Sequence, residues 1–311
     1  MRLRLPEEPV VFRGCDALAW GDLRRAELEG PGFQRVLRSV YAPAAAPRDH
    51  ALLCAATGLL APPSAMITGA SAATLLGMPW LGARDDVELV LPEGVSPPRV
   101  RGLRARRSTQ ALRPGRRWAT TQVADPVRVA FDAAARLPLP VAVARLDALL
   151  GAGLTSVDAL RTHLDGTGAN DVVQVRRALD LVDVRAESLP ESELRVHLAL
   201  AGLDVVPQHV VRHDGRLVAR VDLALVEEQV AVEYDGAWHA LREQLERDRQ
   251  RLDGLAAARW AVVHVTAPDL RDPRRVVALV RAAVERQRSV GIGVSTRSPT
   301  PRGGRRGAHL S

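Results

Sequence analysis

The last third of the chain divides into short apolar runs with polar breaks between them. Val205–Arg212, Leu217–Leu225 and Val230–Tyr234 carry apolar residues at strand spacing, with a turn predicted at His213-Asp214-Gly215. Helical spacing covers Glu191–Ala201 before these runs and Leu241–Ala258 after them. A strand over Trp260–Val265 and a helix from Pro273 complete the series. The order α-β-β-β-α-β predicts a mixed sheet with helices on its faces.

The pattern upstream is also α/β. His50–Leu60 and Ser71–Leu76 read as helices, and DVELVLP (86–92) as a strand. RVRGLRARRS (99–108) alternates and predicts a strand with exposed arginines. VADPVRVAFDAAARL and LPVAVARLDALLGAGL are amphipathic helices, the first with Asp125 as N-cap ahead of Pro126. TSVDALRTHL opens another helix behind a Ser or Thr cap. In the first 45 residues, WGDLRRAEL suggests a brief helix and FQRVLRSVYAP one strand. A helix followed by a basic strand fits the end of a winged helix, yet little room is left for a recognition helix, and a small packing module fits equally well. These breaks predict a winged-helix-like module at 1–45, an α/β region at 46–182, a sheet domain at 185–288 and a disordered basic tail at 289–311.

Composition narrows the chemistry. Hydrophobic residues make up 47% of the 311 positions and aromatic ones 3%, so aliphatic side chains must fill the cores. All 43 basic residues are arginine, so no lysine can act in catalysis. Two cysteines, Cys15 and Cys54, lack metal-type spacing and fit a reducing cytoplasm. The first residues mix both charge signs with two prolines, unlike a signal peptide. The uncharged run Ala51–Ala83 is long enough for a bilayer, but Pro62-Pro63, Pro79 and four glycines point to two buried helices joined by a turn, and to no membrane.

The net charge of +7 is unevenly spread. Gly94–Ala124 holds eight arginines and no acid: Arg99, Arg101, Arg104, Arg106, Arg107, Arg113, Arg116 and Arg117. Gln287 to the end holds five more, again with no acid, whereas Arg185–Arg286 has 15 arginines against 17 acids. Local patches, not the global charge, are therefore the candidates for meeting nucleic-acid phosphates. Solvated arginine-rich strands explain the 94–124 stretch as well.

The sharpest signal is RVDLALVEEQVAVEYDGAWH (220–239). Folding it about Glu227-Glu228, or about a Val226–Gln229 loop, sets Leu225 against Val230 and Leu223 against Val232. Asp222 then faces Glu233, on the face opposite the leucines and valines. Directly opposed Cβ atoms lie about 4.5–5.5 Å apart, and two like charges that close repel. A hard divalent cation, Mg²⁺ or Mn²⁺, relieves this; pairing with arginines, for instance Arg220, also would. Asp235 lies on the same face at the strand end, Gly236 follows it, and His239 is within reach.

VDLAL…VAVEYDGAWH…DRQRLDGLAAARWAVVHVTAPDL resembles the DUF559 family, related to very-short-patch-repair endonucleases within the PD-(D/E)XK nuclease superfamily. ESELR resembles that family's opening helix, so the likeness runs from Glu187 to Leu270. Upstream, VLRSVYAP and MITGASAATLLGMP resemble the AbiEi-type antitoxin region of actinobacterial proteins. The resemblance implies a restriction-endonuclease-like sheet, with Asp222 and Glu233 as metal ligands. Asp235 stands where the superfamily places lysine, an exchange common in DUF559. His239 matches a histidine of the repair endonucleases and can serve as base or proton relay. Arg259 and His264 depart from the family's usual Gly and Arg.

Four further positions carry two readings each. Glu191 has capping-box spacing from Ser188, and also lies on the inward face of its helix, as a carboxylate near a metal-bound water would. Gln208 matches a family glutamine that orients the site or satisfies backbone. Asp248 and Arg251, one helical turn apart, read first as a local ion pair and second as site support. Glu193 is expected to be solvated, and His209 with His213 is not expected to form a zinc site. The expected activity is a Mg²⁺-dependent DNA endonuclease. The alternatives are a non-cutting DNA-binding regulator or antitoxin-like protein with a protein partner, and an RNA-processing nuclease.

Overall fold

The run FQRVLRSVYAP folds back on itself instead of forming one strand. In the computed structural model, which describes residues 4–113, 115–166, 168, 171–236 and 242–295, with the side chains of 242–248 and 290–295 outside that description, it makes β2 (Phe33–Leu37) and β3 (Val40–Pro43). Ser39 turns the chain at φ 63, a left-handed conformation that no Gly or Asn announced. β1 (Phe12–Arg13) pairs on the other side of β3, giving a three-stranded sheet in the order β1-β3-β2. Two short helices, α1 (Gly14–Ala19) and α2 (Arg25–Leu28), lie between β1 and β2 in sequence.

The chain divides into two units, residues 1–193 and 194–311, both mixed α/β. The first also contains a five-stranded sheet in the order β6-β5-β4-β8-β7. Its strands are β4 (Met66–Ile67), β5 (Val87–Pro92), β6 (Leu103–Ser108), β7 (Arg116–Trp118) and β8 (Thr121–Val123). β4 falls between helices α3 (His50–Leu60) and α4 (Gly69–Leu75), where the sequence predicted only a turn. Ile67, Leu89, Leu91 and Trp118 form the core with Cys54 and Ala55 of α3 and Leu75 of α4. Helices α5 (Pro126–Ala134), α6 (Leu139–Gly151), α7 (Val157–Asp165) and α8 (Val172–Leu179) follow. Asp125 caps α5 through Val127 N and Arg128 N, and Ser156 caps α7 through Ala159 N. Among the described residues no helix is long and apolar enough to cross a membrane.

Buried polar groups tie this unit together. Glu88 Oε2 accepts the Ala70 N–H at 2.7 Å, at the start of α4. Gly69 makes this approach possible: its φ is 56, and a Cβ there would run into the same oxygen. Ser71 Oγ accepts the Glu88 N–H at 2.8 Å and meets His50 Nε2 at 2.8 Å, while His50 Nδ1 lies 3.2 Å from the Gly82 carbonyl. A carbonyl only accepts, so Nδ1 carries the proton and Nε2 accepts from the Ser71 hydroxyl.

Burial holds the His50 imidazole below its usual range, the Gly82 carbonyl opposing in part. The folded chain thus binds this proton less readily than the unfolded chain. The stability contributed by neutral His50 is present above the unfolded pKa of about 6.5 and lost as pH falls below it. The urea midpoint is expected to drop between about pH 7.5 and about pH 5.5, and to drop less in His50→Gln. Equal drops in the two proteins would remove His50 from this account.

The second unit is a four-stranded sheet in the order β12-β11-β10-β9. Its strands are β9 (Val206–His213), β10 (Arg216–Leu225), β11 (Val230–Asp235) and β12 (Ala261–Thr266). β11 and β12 are parallel, joined by a crossover through α10 (Arg242–Ala257). Leu223, Leu225, Val230 and Val232 pack on Leu194 and Leu198 of α9 (Leu189–Leu200) and on Val276, Val280 and Ala283 of α12 (Pro273–Ser295). Ala224 and Ala231 pack with Leu255 of α10 on the other face. A short helix, α11 (Ala267–Leu270), precedes α12. α12 runs on to Ser295, past the Ser289 at which a disordered tail was expected.

Candidate functional site

The hairpin register is the one the alternation dictates. Leu223 pairs with Val232, Ala224 with Ala231 and Leu225 with Val230, across a turn at 226–229. The backbone pairs end at Leu223–Val232, and the same register continued by one residue points Asp222 at Glu233. Here a side chain enters the ladder: Asp222 Oδ2 accepts the Tyr234 N–H at 2.9 Å.

The sheet extends this pair into a row. Glu233 stands beside His264 in the parallel β11–β12 pairing. Gln208 falls opposite Asp222, between the pairs Pro207–Leu223 and His209–Val221. Gln208, Asp222, Glu233 and His264 therefore occupy adjacent places on all four strands, about 4.8 Å from strand to strand. Gln208 takes φ 54, a conformation that costs a non-glycine residue about 1–3 kcal/mol and marks an irregularity in β9 at this row.

Glu233 is buried, and Arg251 of α10 grips it. Arg251 Nη1 donates to Glu233 Oε2 at 2.7 Å and Nη2 donates to Oε1. Nη2 also reaches the Arg220 carbonyl at 3.2 Å. This two-pronged contact suits the planar guanidinium fork. Sequence spacing paired Arg251 with Asp248. The structure gives Arg251 a partner 18 residues away, and the Asp248 side chain lies outside the described residues.

Asp235, at the end of β11, pairs with His264: Oδ2 lies 3.0 Å from Nδ1, both groups half-exposed. His264, a departure from the family pattern in the sequence, thus belongs to the site. The parallel register brings it there, and that register depends on the α10 crossover. His239 lies outside the described residues.

Glu191 takes part in the N-terminal cap of α9. Ser188 Oγ donates to Glu191 Oε1 at 2.8 Å, the Glu191 N–H donates to Ser188 Oγ at 3.3 Å, and the Glu187 N–H donates to Glu191 Oε2 at 3.1 Å. Glu193, expected in solvent, is half-buried. Burial raises its pKa and the Arg145 charge opposes the rise.

The eight arginines of 94–124 do not share one place. Arg104 and Arg106 lie on β6, Arg116 and Arg117 on β7, and these are the opposite edges of the five-stranded sheet. Four strand spacings separate them, about 19 Å. Arg99 and Arg101 precede β6, and Arg113 lies between β6 and β7. Arg106 turns inward, with Nη1 donating to the Asp132 carbonyl at 3.1 Å and lying 3.8 Å from its carboxylate. Arg107 Nε donates to the Val95 carbonyl at 3.2 Å. Arg107 and the remaining six are exposed; Arg106 is half-buried.

Asp222, Glu233 and, two residues on, Asp235 are hard oxygen donors of the kind a divalent cation takes, and each already has a partner: the Tyr234 N–H, Arg251 and His264. The Arg251 guanidinium supplies Glu233 with a positive partner. Among the described residues, no group of three His, Cys, Asp or Glu side chains is close enough to hold a metal ion.

No protein-family model matches the chain, and no solved structure gives a significant match. Two uncharacterized proteins of Mycobacterium tuberculosis, one from strain CDC 1551 / Oshkosh and one from strain ATCC 25618 / H37Rv, are each 31% identical to it over 174 residues. Those residues are 53% of this chain and 63% of each relative, so the chain spans less than two thirds of the curated relatives it matches.

Proposed function

We propose that the sheet unit from residue 194 onward is a restriction-endonuclease-like, metal-dependent phosphodiester hydrolase acting on DNA, in the line of the DUF559 proteins its motifs resemble. The observation that carries this reading is the row itself. Two carboxylates on neighbouring strands, Asp222 and Glu233, are flanked by an Asp235–His264 pair at the same strand ends. Acids at this density beside a buried sheet face are costly unless they have a task or a cation.

Asp222 and Glu233 would hold Mg²⁺ or Mn²⁺. Such a cation lowers the pKa of a water and offsets charge on the scissile phosphate. Asp235 can accept a hydrogen bond from His264 Nδ1–H, an arrangement that would orient the ring so that Nε2 could accept a proton from the attacking water. The exposed arginines on the two edges of the N-terminal unit supply attraction for the polyanion, and the 1–45 module, read as winged-helix-like, adds to it.

The test is supercoiled plasmid nicking in Mg²⁺ or Mn²⁺ by the full chain, Asp222→Asn and Glu233→Gln. The wild type is expected to nick, and each variant to lose about a hundredfold or more. Undiminished nicking by both variants, or none by the wild type, would sink the proposal. One observation favours a second reading, a non-cutting DNA-binding regulator with a protein partner: Glu233 already has a cationic partner in Arg251. Under that reading the variants bind DNA as the wild type does, and none nicks.

A further inference from the structure

We propose that Arg251 is a displaceable counter-cation of Glu233, so that its guanidinium and a divalent metal ion compete for one carboxylate. This deepens the hydrolase reading and rests on it.

Glu233 needs a positive neighbour. Its side chain is 7% exposed, and an ionised carboxylate at that depth is costly without a partner. Arg251 meets the need fully, because each carboxylate oxygen accepts one N–H of the fork. Those are the oxygens a metal ion would draw on. Seating a dication while the guanidinium stays would place like charges within a few ångströms of each other, so the two cations exclude each other.

The two partners differ in how firmly they are held. Glu233 is fixed in β11, between β10 and β12. The Arg251 side chain is 31% exposed and projects from α10, the helix that covers this face. A long arginine stem can carry its head group into water while keeping its methylenes on the apolar surface. Withdrawal of Arg251 would also give up its bond to the Arg220 carbonyl, whereas Glu233 stays anchored in a central strand. A fixed acid with a movable organic cation keeps the site electrically satisfied without metal and weakens its hold on metal by the cost of displacing the arginine.

The experiment is a calorimetric titration of the full chain with MnCl₂, with thermal unfolding in the absence and presence of Mn²⁺. It is run on wild type, Arg251→Gln and Arg251→Gln/Glu233→Gln. Arg251→Gln keeps most of the side-chain length without the charge. It is expected to bind Mn²⁺ about tenfold more tightly than wild type and to gain more in Tm from Mn²⁺. The double variant is expected to lose both gains. Should Arg251→Gln fail to fold, Arg251→Lys keeps the charge but not the fork, and is expected to bind about threefold more tightly than wild type. Wild-type or weaker affinity in the folded Arg251 variant overturns the competition and leaves the metal centre standing. No Mn²⁺ binding by wild type or by any folded Arg251 variant overturns the metal centre and the inference with it.

Discussion

Asp132→Ala is expected to destabilise the N-terminal unit by about 3–5 kcal/mol, read as a lower urea midpoint. Asp132 is 2% exposed and sits on α5 among three donors. Its Oδ2 accepts from Thr68 Oγ1 at 2.7 Å and from Arg128 Nε at 2.7 Å, and Oδ1 accepts from Arg128 Nη2 at 3.0 Å. Arg128 is itself buried and also donates to Ser108 Oγ at 3.0 Å. Removing the carboxylate leaves the Arg128 and Arg106 guanidiniums in the interior without the acid that faces both. The penalty belongs to stranded charge more than to the lost bonds. Removing both partners together, as Arg128→Met/Asp132→Leu, is therefore expected to cost less than Asp132→Ala alone. A loss under about 1 kcal/mol for Asp132→Ala would show that water reaches these guanidiniums and that the network is peripheral.

The second large effect lies in the Glu233–Arg251 pair, and it is asymmetric. Arg251→Ala is expected to cost about 3 kcal/mol, because the Glu233 carboxylate stays behind, buried without its cationic partner. Glu233→Ala is expected to cost about 1 kcal/mol, because the partly exposed Arg251 can rehydrate. The same geometry predicts the direction of metal rescue: a divalent cation restores the Arg251 variants and does nothing for Glu233→Ala. Urea unfolding of both variants, with and without Mn²⁺, measures all of this. Equal costs for the two substitutions would mean that Arg251 is as confined as Glu233, and competition with metal would then lose its physical basis.

Much of the local structure was legible because it is encoded in short-range periodicity and caps. The bounds of α3 and the cap at Asp125 follow from residues within one or two turns of each other. The β10–β11 register follows from strict alternation around a short turn, which a slip of one residue would invert. Helix α8 was readable and was missed: Val172, Val175, Ala178 and Leu179 are its buried face, at helical spacing. Strands β4, β7 and β8 were not readable, because two or three residues cannot establish a period. They exist because neighbouring strands supply their hydrogen bonds.

The amino-acid order of the hairpin alone paired Asp222 with Glu233, since both lie on one chain turn and share one face. What lies beyond the hairpin depended on the tertiary structure. The α10 crossover sets the parallel register that brings His264 to Glu233, and the β9 pairing brings Gln208 to Asp222. Arg251 reaches Glu233 only because α10 packs over that face of the sheet. The arginines of 94–124 show the reverse case, neighbours along the chain that three intervening strands hold apart. Periodicity reports which face a residue takes within its own element. Which elements meet is decided by strand order and helix packing, and that is where the candidate site was assembled.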